Sequence, residues 1–149
     1  MTSIATVGYE GCVVEAVVNT LRDSGVELLI DVRAVPSSRK PGFSKRQLAA
    51  SLDQAGIAYI HLQRLGTPKA GRDAARAGKT DRMETIFREH MRSDPAQAAL
   101  ADARSLARER RACLLCFERD HTACHRRLVA EMITAETAQT IVHLQAPLA

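Results

Sequence analysis

The 149-residue chain contains no tryptophan, two tyrosines and three phenylalanines. So few rings exclude a platform on which successive bases of a single strand could stack. The core must be aliphatic, because the apolar supply is mostly Ala, Leu, Val and Ile. The chain also lacks any run of about 18 apolar residues able to span a bilayer. Its Met1-Thr2-Ser3-Ile4 start has no basic segment followed by a long apolar one. No membrane partner is expected, and a cytoplasmic location is. Four cysteines, two of them inside one apolar segment, do not make the dense framework of a small secreted protein, so reduced thiols are expected.

At this length, with 46% hydrophobic residues, the chain can bury one sizeable core, and residues 1–149 are expected to form a single α/β domain. A formal charge of +4 favours anionic ligands, because a basic surface raises the local concentration of phosphates.

Strand and helix signals alternate along the chain. Ile4 to Val7 is a short β-prone run ending at Gly8, and Val13, Val14, Val17, Val18 and Leu21 then recur at helical spacing. Gly25 closes that helix. Val26 to Val32 is a nearly continuous apolar run, the pattern of a parallel strand buried on both faces. Pro36 to Gly42 is a loop, and Ser44-Lys45-Arg46-Gln47 reads as a capping box opening a helix that Gly56 ends.

Ile57 to Leu62 makes a third strand, with Tyr59 and His61 on one side. Gly66 to Lys79, rich in Gly, Ala and basic residues, reads as a long irregular connection, the kind of loop that is often functional. Helices are expected from Asp81 and from Asp94-Pro95, then a fourth strand over Ala112 to Phe117, a helix from Cys124 to about Ala138, and a fifth strand over Thr140 to Leu144. The result is a three-layer sandwich with a mainly parallel five-stranded sheet, Rossmann-like, in the expected order 3-2-1-4-5. Ligands of such sheets bind at the carboxyl ends of the strands, where the strand order reverses.

The unusual residues follow those ends. Gly8-Tyr9-Glu10-Gly11 lets backbone N–H groups approach an anion, or simply makes a tight turn. Asp31 and Arg33 share a side where the core opens, as a structural ion pair or as a ligand-binding or catalytic pair. Ser37 and Arg39 add a hydroxyl and a second guanidinium in the following loop.

The segment Cys113-Leu114-Leu115-Cys116-Phe117-Glu118 leads to Cys124-His125-Arg126. Residues three apart on a strand face opposite sides, so Cys113 and Cys116 should not chelate together, and Cys113 is expected in the core. Cys116 and Glu118 share the strand's mouth. Cys124 stands at a helix start near arginines, where a thiolate is favoured. A zinc site from Cys116, Cys124 and His125, completed by His121 or His61, has suitable ligand types. Its spacing matches none of the usual paired knuckles, and no metal ligand set is assigned.

Together Thr6-Val7-Gly8-Tyr9-Glu10-Gly11, Asp31-Val32-Arg33 with Pro36 and Ser37-Ser38-Arg39, Gly42-Phe43, Tyr59 to Leu62, Leu65-Gly66, Leu115-Cys116-Phe117-Glu118 and Cys124-His125-Arg126 resemble the ordered signature of the domain-of-unknown-function 488 family. The resemblance runs over nearly the whole chain. It implies a compact α/β domain of bacterial and archaeal type whose characteristic surface is formed by these polar residues, and it names no reaction or cofactor. A weaker similarity is to rhodanese-like domains, from which the chain departs in having no compact six-residue loop with a closing arginine around Cys116 or Cys124.

The leading expectation is an enzyme or binding protein acting on a small phosphorylated or nucleotide-like anion. Backbone N–H groups after Gly8 and at the helix near Cys124, with Tyr9, Glu10, Arg33, Ser37, Arg39 and Arg126, would form the binding surface. Asp31, Glu118 or His125 would handle protons, and Cys116 or Cys124 would supply a nucleophile. Two rivals stay open. One is a nucleic-acid-associated module using Lys40, Lys45, Arg46, Lys69, Arg72 and Arg76 on a phosphate backbone; the other is a metal-bound structural or redox module.

Overall fold

The protein is described from a computed structural model covering residues 2–149. Five strands and six α-helices alternate: β1 (Ser3–Gly8), α1 (Val14–Asp23), β2 (Leu28–Asp31), α2 (Lys45–Gln54), β3 (Ala58–His61), α3 (Lys69–Arg76), α4 (Thr80–His90), α5 (Asp94–Glu109), β4 (Ala112–Cys116), α6 (His125–Thr134) and β5 (Thr140–Leu144). All strands are parallel, as the alternation predicts. No helix among the described residues is long and apolar enough to cross a membrane.

The spatial order is β3-β2-β4-β1-β5, so β1 and β4 are exchanged relative to the sequence expectation. Burial explains the exchange. Every residue of Ala112–Cys116 is buried, whereas β1 keeps two partly exposed positions and β3 and β5 are only partly buried. The strand with no polar residue takes the centre, where both faces are covered. The short β1–α1–β2 connection, read as joining neighbours, instead passes over β4.

Each face of the sheet carries its own core. Val17, Val18 and Leu21 of α1 and Leu48 and Leu52 of α2 pack with Leu29, Cys113 and Leu115 on one side. Helices α3 to α6 pack Met83, Phe87, Leu100, Leu128 and Ile133 with Ile30, Leu114 and Cys116 on the other. Cys113 and Cys116 thus face opposite layers, as a period of two requires. Chains leaving β1 and β2 enter the first layer, while the chain leaving β4 enters the second through α6. The carboxyl end of β4 is therefore flanked by a change of direction on both sides, the arrangement that opens a crevice in such sheets.

Two local readings are corrected. The span read as an irregular connection contains α3, which starts at Pro68 and is held by the pairs Lys69–Asp73 and Arg76–Asp73. Gly71 lets this helix close on Thr67 and Ile86, since a Cβ there would stand 2.1 Å from Thr67 Cγ2. Its helical signal is short, and the flanking Gly66 and Gly78 outweigh it on a pattern reading. At α2, Ser44 is the N-cap by position but its hydroxyl donates to the Ser38 carbonyl, and Gln47 Oε1 accepts from Gly42 N–H, so the capping box does not form. Both side chains hold the preceding loop instead.

Candidate functional site

A cavity of about 380 Å³ opens at the carboxyl end of β4. That volume suits a small molecule. Tyr9, Arg33, Ser37 and Ser38 line it from the β1 and β2 side, Cys116, Glu118, Cys124 and His125 from the β4 side, and Thr67, Arg72 and Arg76 from α3 and its approach.

Four reactive side chains meet on the β4 side. His125 Nε2 lies 2.8 Å from the Val32 carbonyl, to which its N–H donates, leaving Nδ1 turned toward the thiols. Nδ1 is 3.7 Å from Cys116 Sγ and 4.0 Å from Cys124 Sγ. Glu118 Oε2 is 3.8 Å from Cys116 Sγ. Sequence brings them together because Cys116 ends β4, while Cys124 is the last extended residue before α6 and His125 the first helical one.

The electrostatics separate the two thiols. Burial alone would push Cys124 up, but hydrogen bonds from Cys116 and His125 and the positive charge of His125 and Arg126 outweigh it and hold this thiol well below its ordinary range. The hydrogen bond to Cys124, then burial, then the charge of Cys124, hold Cys116 well above it. Burial, followed by the nearby Cys124 charge, pushes Glu118 up to about 7. Burial opposes a charge on His125, yet Cys124 and the Val32 carbonyl raise its affinity for a proton. A thiol biased toward ionisation, a second thiol biased against it, an imidazole of raised proton affinity and a carboxyl shifted to about 7 thus share a floor. The ligand atoms of Cys116, Cys124 and His125 all lie within 4.8 Å of one another, within reach of a single metal ion.

A testable consequence concerns alkylation of chelator-treated protein by iodoacetamide. Cys124 should react with a pH midpoint well below that of a free thiol, which follows an ionisation near about 8.5. All four cysteines are buried, but Cys12 and Cys113 lie in the α1/α2 layer and do not line the cavity, so they should stay unlabelled until the protein unfolds. A Cys124 rate that climbs through the ordinary thiol range would remove the thiolate.

Other residues singled out by sequence have different work. Asp31 is fully buried and accepts from Arg33 Nε and Nη2, the latter at 2.7 Å, and from the Tyr59 hydroxyl at 2.6 Å. It does not line the cavity. Arg33 lines it, but also donates through Nη1 to the Phe43 carbonyl at 2.7 Å and to Tyr9 Oη at 3.2 Å. Tyr9 stacks on Phe43 with ring centroids 4.3 Å apart. The pair Asp31–Arg33 ties the loop after β2 to β1 and β3.

Arg126 is 0% exposed and donates to Thr6 Oγ1 and to the Glu118 and Arg119 carbonyls, so it shapes the turn after β4 from inside. The N–H groups of Tyr9 and Glu10 donate to the Cys116 and Phe117 carbonyls, which is where the glycine-flanked turn spends them. Glu10 accepts from Arg119 N–H. Arg39 is exposed and away from the cavity. His61 donates to the Arg33 carbonyl and His121 stacks on His143, so neither joins the two thiols.

Apart from Arg33, the arginines lining the cavity come from α3. In the sequence Arg72 and Arg76 belong to a stretch that reads as an irregular connection, and they enter only as contacts of the nucleic-acid alternative. Thr67 has no sequence signature. It is 3% exposed, and its hydroxyl has no hydrogen-bond partner among the described residues although it lines the cavity. Buried hydroxyls are normally paired.

No curated protein and no solved structure matches the chain. A family model, described as Domain of unknown function DUF488, matches residues 13–133. That span includes β2, β4 and all four members of the thiol, imidazole and carboxyl cluster, and leaves out the Gly8 turn and β5. The chain therefore belongs to the DUF488 family, a domain of unknown function.

Proposed function

We propose that the protein acts on a small phosphorylated or nucleotide-like anion in the cavity beside β4. The observation that carries this reading is one small-molecule-sized cavity lined by both cationic and reactive side chains. Arg72 and Arg76 of α3 line it together with Cys116, Cys124, His125 and Glu118. An anion held by the arginines would present its reacting end to the cluster. Thr67, with its unpaired hydroxyl, offers a further donor. Ser37 supplies another hydroxyl.

The arrangement is a poor match to an extended phosphate backbone. Lys69 is paired with Asp73 on the exposed side of α3, while Arg72 and Arg76 line a concave cavity. A thermal-shift panel of inorganic phosphate, nucleotides and sugar phosphates tests the reading. At a hundredfold excess over its dissociation constant, a true ligand should add about 2.7 kcal/mol of apparent stability. The Arg72→Gln/Arg76→Gln variant should lose that shift, with an unliganded cost of about 1 kcal/mol for the bond from Arg72 to the Thr67 carbonyl. A panel with no shift, or an equal shift in the double variant, would sink the reading. Binding dominated by counterion release, with a steep loss of affinity in salt, would return the nucleic-acid alternative.

A further inference from the structure

We propose that Cys116, Cys124 and His125 are three ligands of a divalent cation of the zinc class, whose remaining coordination position faces the cavity. The inference deepens the reading above and rests on it only for the nature of the substrate. Four observations meet here. The first is spacing. With metal–sulfur bonds of about 2.3 Å and metal–nitrogen bonds of about 2.0 Å, tetrahedral ligand atoms stand roughly 3.5–3.8 Å apart. The measured separations from His125 Nδ1, 3.7 Å and 4.0 Å to the two sulfurs, are already near that value, and all three ligand atoms lie within 4.8 Å of one another.

The second is orientation. A ligating histidine normally gives its other ring N–H to a carbonyl or carboxylate, which fixes the tautomer and the ring plane. His125 does so to Val32 O at 2.8 Å, so the nitrogen with the free lone pair is the one that faces the sulfurs. The third is ligand type. Two sulfurs and one imidazole select a borderline-soft cation over magnesium or calcium, which take oxygen. The fourth is access. All three residues line the cavity, and three protein ligands with one exchangeable position is the catalytic form of such a centre rather than the closed structural one.

Glu118 also lines the cavity, with Oε2 3.8 Å from Cys116 Sγ. An oxygen of the anion, or a water, would take the exchangeable position, where the cation would polarise it as a Lewis acid. His121 and His61, which had seemed suitable fourth ligands by type, are turned elsewhere.

The test is direct. Protein expressed with added zinc should carry a near-stoichiometric amount by elemental analysis, and cobalt(II) substitution should give tetrahedral ligand-field bands with sulfur-to-cobalt charge transfer. Cys116→Ser and Cys124→Ser should each lower zinc affinity by more than the roughly 10–100-fold that loss of an outer partner costs. Cys12→Ser should bind as the wild type does. Where a cysteine variant fails to fold, the wild-type cobalt spectrum and chelator competition still decide. Protein without zinc, a cobalt adduct lacking the charge-transfer band, or a Cys116–Cys124 disulfide in its place overturns the inference. Stabilisation by inorganic phosphate, measured on the same samples, reports separately on the anion reading.

Discussion

Gly8→Ala should be among the most damaging single substitutions in the chain, costing more than about 4 kcal/mol or abolishing folding. A Cβ at position 8 would lie 1.7 Å from the Glu118 carbonyl oxygen and 2.5 Å from its carbon. Both atoms are backbone, so no rotamer change relieves the clash. Nor can the segment after β4 step aside cheaply. Its carbonyls at Cys116 and Phe117 accept from Tyr9 and Glu10, and Arg126 Nη1, itself 2.9 Å from that Cβ, donates to the Glu118 carbonyl. Moving it would open the carboxyl ends of β1 and β4 and pull Glu118 from the thiols. Urea unfolding measures the loss. Gly11→Ala is the comparison, because its positive φ of 76° costs strain but its new Cβ would meet only the end of Leu148. A Gly8→Ala midpoint no lower than that of Gly11→Ala would show that β1 and the β4 tail are not locked together.

Most of the fold was legible from periodicity. The apolar runs at Val26–Val32 and Ala112–Phe117 contain β2 and the central strand β4, and the spacing of Met83, Phe87 and Met91 marks the inward side of α4 and its end. The order of β1 and β4 was not legible from connection length. It follows from which strand can bear burial on both faces, a comparison of Ser3–Gly8 with Ala112–Cys116 that only becomes decisive when the two compete for one place. Helix α3 was hidden for a different reason: eight residues between glycines give too short a periodic signal, and its stability comes from packing Gly71 and Ala74 inward and from pairs to Asp73 outward.

The site was legible in its chemistry and not in its charges. Cys116, Glu118, Cys124 and His125 could be named because a strand end and a helix start in one short segment must approach each other. The arginines could not be sorted. Arg33 and Arg126 sit in the most suggestive motifs, yet buried guanidinium groups need partners, and each is committed to carbonyls or carboxylates of its own loop. Arg72 and Arg76, in an unremarkable stretch, are the cations that line the cavity from α3. The Val32 carbonyl that orients His125 has no sequence signature at all.

That carbonyl leads to the second large effect. Asp31→Ala should cost about 3–5 kcal/mol, because it leaves the Arg33 guanidinium buried without its carboxylate and strips the Tyr59 hydroxyl of its acceptor. Removing both charges is a different experiment. In Asp31→Leu/Arg33→Met no charge is left unpaired, so the loss should be well below the sum of the two single losses, and the cycle should give a coupling of 0.5–3 kcal/mol, roughly. What the double variant cannot restore is the tether of the loop, since Arg33 also holds the Phe43 carbonyl and Tyr9. Val32, adjacent to that tether, carries the acceptor for His125. The expected result is therefore a folded double variant whose Cys124 labelling profile moves back toward that of an ordinary thiol. Additive single losses would deny the pair its role in stability, and an unchanged labelling profile would deny that the loop after β2 sets the imidazole.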